Sequence, residues 1–157
     1  MSKVRSVLFV CTGNSCRSVM AEGLLKKRLN ELGKTDIVVR SAGVRAITGF
    51  PPTHETVEVM KEAGVALDGF QSTAITNELI ISSELILVMS EMHREEMVKR
   101  FPGAAGKTFL LREYGRIEGS PKPDFSDIPD PIGSSVDGYK ECMEIIKEDI
   151  ERVAKIL

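Results

Sequence analysis

Five residues separate Cys11 from Arg17, and the pair could perform chemistry on a phosphorylated molecule. Cys11 follows an apolar run and Arg17 opens a segment with helical spacing, so the pattern predicts a strand, a short polar loop and a helix. The free N–H groups at a helix start, with the positive end of the helix dipole, form a site for an anion of phosphate size. A cysteine placed there beside an arginine is expected to be an ionised nucleophile. The planar Arg17 guanidinium could bind two oxygens of the same anion.

Neither residue carries this interpretation alone. A cysteine that ends an apolar strand is most often a small buried hydrophobe, and an arginine at a helix start is most often solvated. The residues between them make the pattern more specific, because Gly13 permits a tight turn and Asn14 tolerates left-handed backbone. The combination predicts a phosphate-binding loop with a built-in nucleophile.

The segment 11–18, CTGNSCRS, resembles the phosphate-binding loop of the low-molecular-weight protein tyrosine phosphatase family. Residues 40–43, with the sequence RSAG, and the Asp130-Pro131 pair fall where that family has its SAG segment and its acid-bearing loop. The resemblance covers nearly the whole chain and implies a phosphatase that forms a phosphocysteine on Cys11. It also implies that phosphate is bound by the loop residues Thr12, Gly13, Asn14, Ser15, Cys16, Arg17 and Ser18.

A phosphate ester or phosphoramidate leaves poorly unless its departing atom is protonated, so the mechanism needs an acid. Asp130 is the best candidate, with Asp124 and Asp127 as alternatives in the same loop, although an aspartate in a polar loop often only forms a turn. Asp130 would act first as the acid and then as the base for the water that hydrolyses the phosphocysteine. Arg17 and the loop amides would stabilise the equatorial oxygens in both steps.

The resemblance assigns supporting roles to three further residues. Ser18 would donate a hydrogen bond to the Cys11 thiolate, and an ordinary helix N-cap is an equally good and compatible role. Ser41 would support Asn14. Cys16 would form a reversible disulfide with Cys11 that protects the nucleophile, or it is simply buried.

Ser15 and Ile132 are the positions expected to select the substrate. The tyrosine-specific branch of the family has a bulky aliphatic residue at the position of Ser15 and aromatic residues after its Asp-Pro pair, and this chain has neither. The protein arginine phosphatases have a small hydroxyl residue there, and a guanidinium could hydrogen-bond to Ser15 and Asp130, so phosphoarginine is favoured. Ile132 departs from the phenylalanine of the arginine branch. Phe70 departs from a loop-supporting histidine of many relatives, which leaves the hydrogen bonds behind the loop open.

Three other functions remain as alternatives, with phosphotyrosine phosphatase activity as the runner-up. Arsenate reductase activity on the same scaffold needs further cysteines after the third strand, and this chain has none in that region, where it carries Ser82, Ser83 and Met89. A phosphocarrier domain would not hydrolyse its phosphocysteine and would not need Arg17 or Asp130.

Composition bounds the remaining possibilities. A chain of 157 residues that is 42% hydrophobic is long enough for one domain, which we place over residues 1–157. The net charge of −2, with both signs interspersed, argues against a nucleic-acid partner. The apolar run at 7–10 is too short for a signal peptide, and no segment has transmembrane length, so no membrane partner is expected. Three cysteines without paired spacing favour a reducing, cytoplasmic location.

No metal or cofactor is expected either. His54 and His93 lie on separate predicted helices without ligand partners at suitable spacing, and we interpret them as solvated or capping residues. Cys142 is interpreted as a core residue. The expected partners are phosphorylated proteins and inorganic phosphate or similar oxyanions.

The elements that must position these residues follow from the apolar periodicity. We predict strands that end at Cys11 and lie at 37–39, 85–89 and 108–111, and helices at 18–33, 53–64, 76–82, 90–100 and 136–157. Thr53 should cap its helix, with Val57 and Met60 facing inward. The alternation predicts an α/β fold with an open four-stranded parallel sheet of order 2-1-3-4, flavodoxin-like, with helices on both faces. Ligands bind such sheets beyond the carboxyl end of the first strand, where Cys11 lies.

Overall fold

The computed structural model describes residues 3–157, in which strands and helices alternate. No helix in this range is both long and apolar enough to cross a bilayer. The elements, in chain order, are β1 (Ser6–Cys11), α1 (Arg17–Glu31), β2 (Val38–Gly43), α2 (His54–Glu62), α3 (Asn77–Ser82), β3 (Leu85–Val88), α4 (Glu91–Arg100), a 3-10 helix (Pro102–Lys107), β4 (Thr108–Leu110) and α5 (Val136–Ile156).

The four strands form one parallel sheet of order β2-β1-β3-β4, which confirms the predicted topology. β1 is central, and its last residue, Cys11, is level with Gly43 at the end of β2. Successive β1 side chains enter opposite layers: Val7 and Phe9 pack in the core beneath α1 and α5, whereas Leu8 and Val10 pack in the core beneath α4. Both faces of the sheet are therefore covered, as buried parallel strands require.

The helices begin where polar caps allow them to begin. Thr53 caps α2, with its side chain accepting a hydrogen bond from Thr56 N, as predicted. Met60 is buried, but the prediction that Val57 faces inward is wrong, because Val57 is exposed. The buried face of α2 runs through Thr56, Val59 and Met60, and a residue one position after Thr56 lies about 100° around the helix from it. Helical spacing alone allowed either face.

A buried ionic cluster fixes the start of the long loop that follows β4. Asp149, which has no exposed surface on α5, lies 2.9 Å from Arg152 Nη1 and 3.5 Å from the guanidinium nitrogens of Arg112 and Arg116. Burial raises the pKa of the Asp149 carboxyl, and the three arginines oppose that shift. The Arg112 guanidinium also lies 4.7 Å from the centroid of the Phe125 ring. The loop is thus tied to α5 before it reaches the candidate acid.

Candidate functional site

The segment between β1 and α1 forms a loop with free backbone donors. Asn14 adopts the left-handed region with φ of 53°, as its residue type had indicated. Cys16 precedes α1 and makes no side-chain capping hydrogen bond. The backbone N–H groups of residues 13–18 donate to no acceptor within residues 3–157. Such a cluster of donors at a helix start can bind an anion.

The end of β2 passes directly behind this loop. Val44 N donates to Cys11 O and Arg45 N donates to Thr12 O, both at 2.9 Å. A Cβ atom on Gly43 would lie 2.5 Å from Thr12 O and 2.8 Å from Asn14 N. Glycine is therefore required at position 43 by the close approach of the two backbones.

A chain of hydrogen bonds runs from Glu22 to the Cys11 thiol. Ser41 Oγ donates to Glu22 Oε1 at 2.6 Å, and Asn14 Nδ2 donates to Ser41 Oγ at 2.9 Å and to Ser18 Oγ at 2.8 Å. Ser18 Oγ lies 2.8 Å from Cys11 Sγ. Asn14 Nδ2 donates one proton to Ser18 Oγ and the other to Ser41 Oγ, so Ser18 Oγ accepts from Asn14. The Ser18 hydroxyl proton is therefore free to donate to the Cys11 sulfur, and this hydrogen bond favours the thiolate.

The amide of Asn14 is fixed without any contribution from Phe70. Asn14 Oδ1 accepts a hydrogen bond from Thr73 N at 2.9 Å, so both ends of the buried amide have partners. Glu22, on α1, completes the network, and no sequence pattern had assigned it a role. A carboxylate four hydrogen bonds from the thiol thus ends the network that holds the loop.

Arg17 joins the loop to the candidate acid. Its guanidinium is nearly fully buried, with Nη1 donating to Ile128 O at 2.9 Å and Nη2 lying 3.6 Å from Asp130 Oδ2. Asp130 Oδ1 accepts a hydrogen bond from Ile132 N at 3.0 Å, which is the turn expected for an aspartate before proline. Its second oxygen, Oδ2, is the one that faces Arg17.

The other two aspartates of this loop have different surroundings. Asp127 Oδ1 accepts a hydrogen bond from Glu91 N at 2.8 Å, so it caps the start of α4. Asp124 is exposed and makes no hydrogen bond or ion pair with the described residues. Ile128 N donates to Met89 O at 2.8 Å and anchors the loop to the end of β3. This arrangement favours Asp130 among the three candidates.

Cys16 and Ser15 face the start of α2 and α5. Cys16 Sγ is buried and lies 3.6 Å from Ser15 Oγ, 3.6 Å from Thr53 Oγ1 and 3.8 Å from Tyr139 Oη. Ser15 is half-buried, and its carbonyl accepts a hydrogen bond from Thr53 N. Ile132, the other predicted selectivity residue, is 59% exposed. Ser15 is therefore part of the loop wall, and Ile132 lies on the surface of the acid loop.

The three cysteines differ in surroundings and are all free thiols. Cys142 is buried against Pro129 O, and burial raises the pKa of its thiol to about 12. It is consequently a neutral core group, as interpreted from the sequence. Within residues 3–157, no three His, Cys, Asp or Glu side chains are grouped to hold a metal ion.

His93 is buried and Ser90 caps α4, so the interpretation of His93 as a solvated or capping residue is wrong. Its ring has no exposed surface, with Nε2 2.8 Å from Thr12 Oγ1 and Nδ1 2.9 Å from Ser90 Oγ. Burial lowers the pKa of His93 to about 4, and the nearby Arg17 adds to the shift. Two carboxylates, those of Asp127 and Asp130, oppose it. No sequence signal pointed to this contact beyond a histidine in the first turn of a helix that begins at the sheet edge carrying Cys11.

The lowered pKa of His93 predicts that the protein loses stability on mild acidification. Between pH 6.5 and about 4, His93 binds a proton in the unfolded chain but not in the folded one, so the free energy of unfolding falls as pH falls. The expected loss from this residue is about 3 kcal/mol across that window. Urea unfolding at several pH values should show a shallower pH dependence for His93→Gln than for the wild type. His54→Gln, on an exposed histidine, should keep the wild-type slope, and equal slopes in all three proteins would contradict the assignment.

Comparison with known proteins gives a consistent pattern. Residues 6–157 match the sequence model of the family described as "Low molecular weight phosphotyrosine protein phosphatase". The chain is 38% identical over 151 residues to a protein-arginine-phosphatase of Bacillus subtilis, covering 96% of this chain and 95% of that protein.

Two solved structures have closely similar folds. One is a low molecular weight protein tyrosine phosphatase from T. tengcongensis, with a TM-score of 0.88 and 36% identity, covering 98% of this chain and 99% of the other. The other is the YwlE arginine phosphatase in a mutant with a phosphorylated active-site serine, with a TM-score of 0.87 and 37% identity, covering 96% and 93%.

Proposed function

Since the chain belongs to the low molecular weight phosphotyrosine protein phosphatase family, we propose that it hydrolyses phosphoarginine in proteins through a phosphocysteine on Cys11. The phosphatase activity follows from the family. The observation that supports Cys11 as the nucleophile is the hydrogen-bond chain that ends in Ser18 Oγ, 2.8 Å from the sulfur. A donor held in that direction stabilises the thiolate and, later, the departing thiolate of the second step.

In the first step, the Cys11 thiolate attacks phosphorus and an S–P bond forms as the P–N bond to the guanidine breaks. Asp130 gives its proton to the departing nitrogen. In the second step a water oxygen attacks phosphorus, Asp130 takes the proton of that water, and the S–P bond breaks to restore the thiolate. Arg17 and the N–H groups of the loop stabilise the charge on the equatorial oxygens throughout.

Two features support phosphoarginine over phosphotyrosine. Ser15 places a small hydroxyl in the loop wall, where a guanidinium could find a hydrogen-bond acceptor, and Asp130 offers a second one. The similarity to a protein-arginine-phosphatase at 38% identity points the same way. Phosphotyrosine is the second candidate, because the family as a whole and the T. tengcongensis structure are described as tyrosine phosphatases. Turnover of matched phosphoarginine and phosphotyrosine peptides separates the two.

Ser15→Ile should reverse this preference. An aliphatic wall would leave guanidinium N–H donors without a partner, at a cost of roughly tenfold to a hundredfold in kcat/KM for phosphoarginine. A phenol ring would gain apolar contact, so kcat/KM for phosphotyrosine should rise. Ser15→Thr keeps the hydroxyl and is the matched control, and Ile132→Phe tests the other wall. An unchanged ratio of the two specificity constants in Ser15→Ile would show that Ser15 is not the selector.

Three finer expectations belong to the same proposal. Inorganic phosphate and similar oxyanions should bind in the loop as product analogues. Reversible pairing of Cys11 with Cys16 stays a prediction of the family resemblance, since both thiols are free. A cytoplasmic location likewise stays a prediction from cysteine usage.

A further inference from the structure

His93 connects two parts of the candidate site that come from distant regions of the chain. Its ring contacts Thr12, the residue after the proposed nucleophile, across 81 positions of sequence. It lies in the first turn of α4, whose first N–H group binds Asp127 of the acid loop. One helix turn therefore holds both the phosphate loop and the loop that carries Asp130.

The hydrogen bond of the Ser90 hydroxyl indicates which ring nitrogen of His93 carries the proton. Ser90 is buried, its Oγ accepts a hydrogen bond from His93 N, and among the described residues its hydroxyl has no other partner than His93. If Ser90 donates to Nδ1, the proton of the neutral ring is on Nε2, and every group has a partner. The opposite tautomer would leave the Ser90 proton buried without an acceptor. The lowered pKa of His93 agrees with a neutral ring at physiological pH.

With this tautomer, His93 Nε2–H donates to Thr12 Oγ1 at 2.8 Å. Thr12 Oγ1 then accepts a hydrogen bond from His93. The hydroxyl proton of Thr12 is therefore available for a different acceptor. Thr12 is half-buried and belongs to the loop whose N–H groups are free. A phosphoryl oxygen in that loop would be an acceptor of the right kind.

We propose that His93 is a positioning residue that turns the Thr12 hydroxyl proton toward an anion bound in the phosphate loop. His93 acts through Thr12 and does not itself contact the anion. The inference rests on the proposed function only in taking the loop to bind phosphate, and it adds one directed donor to those of the backbone and Arg17.

The test is a double-mutant cycle on Thr12 and His93, read by the affinity for inorganic phosphate and by kcat/KM. Thr12→Val and His93→Leu should each weaken phosphate binding by roughly tenfold to a hundredfold, because each removes the directed hydrogen bond to a charged group. The double variant should bind no more weakly than Thr12→Val alone, since both changes remove the same donor. His93→Gln carries an amide N–H that can replace Nε2–H and should recover most of the affinity. His54→Gln, on the exposed histidine, should bind phosphate as the wild type does.

Losses that multiply in the double variant would overturn the proposal, and so would phosphate affinity that is unchanged in Thr12→Val. Thermal unfolding reports whether each variant is folded. If His93→Leu does not fold, the phosphate affinities of His93→Gln and Thr12→Val are compared instead. A folded His93→Gln that binds phosphate as poorly as Thr12→Val would overturn the proposal. Phosphate binding needs no turnover and is also measured in a Cys11→Ser background. The result therefore does not depend on which substrate is hydrolysed or on whether Cys11 is the nucleophile.

Discussion

Replacing Cys11 with serine is expected to reduce turnover of phosphoarginine and phosphotyrosine peptides by at least about 10⁴-fold while phosphate binding survives. A serine hydroxyl is a much weaker nucleophile than a thiolate, and the base needed to ionise it is not beside it. The loop amides and Arg17, which we propose bind the anion, are unchanged by the substitution. Steady-state turnover and phosphate calorimetry on the same preparation measure the two properties.

The matched control for this prediction is Cys142→Ser. Cys142 is buried and neutral, so its replacement should leave turnover within a few-fold of the wild type. Mass spectrometry of Cys11→Ser after incubation with substrate adds a second readout, because a similar structure carries a phosphorylated active-site serine. Turnover that persists at the wild-type rate in Cys11→Ser would remove Cys11 from the mechanism.

Asp130→Ala is expected to produce the second largest loss, roughly 10²- to 10⁴-fold in kcat/KM on phosphoarginine. A guanidine is a poor leaving group until it is protonated, and Asp130 Oδ2 lies 3.6 Å from Nη2 of Arg17, the arginine that we propose binds the phosphoryl group. The leaving group of p-nitrophenyl phosphate departs as a stable anion. With this substrate, Asp130→Ala should reduce the rate of the first step much less. Parallel kinetics on the two substrates give the comparison.

Asp124→Asn is the control within the same loop, because Asp124 is exposed and makes no contact with the site. It should retain wild-type kinetics on both substrates. Asp127 is unsuitable as a control, since its carboxylate caps α4 at Glu91 N. Equal losses on the two substrates in Asp130→Ala would assign Asp130 a structural or binding role instead of the acid role.

The proposed chemistry depends on holding these two loops at a fixed distance. Arg17 Nη1 binds Ile128 O, and Ile128 N binds Met89 O at the end of β3, so the acid loop is attached both to the phosphate loop and to the sheet. These contacts use backbone carbonyl and amide groups and survive changes of side chain in the loop. Pre-positioned donors and acids lower the reorganisation needed during reaction.

The sequence by itself determined the features that depend on local patterns. Residue types and spacing over a few positions account for the apolar runs that form β1 and β3, for the cap Thr53 and for the left-handed Asn14. The strand order followed because alternating strands and helices allow few parallel topologies. The sequence also predicted Cys11, Arg17 and Asp130 as the nucleophile, the anion-binding arginine and the acid, and the fold places Arg17 Nη2 3.6 Å from Asp130 Oδ2.

The tertiary structure decided which partner each polar group meets. No local pattern shows that His93 contacts Thr12 or that Glu22 ends the hydrogen-bond chain behind Cys11. Nor does any local pattern show that Asp149 forms ion pairs with three arginines. Periodicity gives the buried face of a helix at best to within one neighbouring position, which is why Val57 was placed wrongly. A buried polar group takes whichever donor or acceptor the packing brings within about 3 Å, and in these cases that partner is set by contacts between distant parts of the chain.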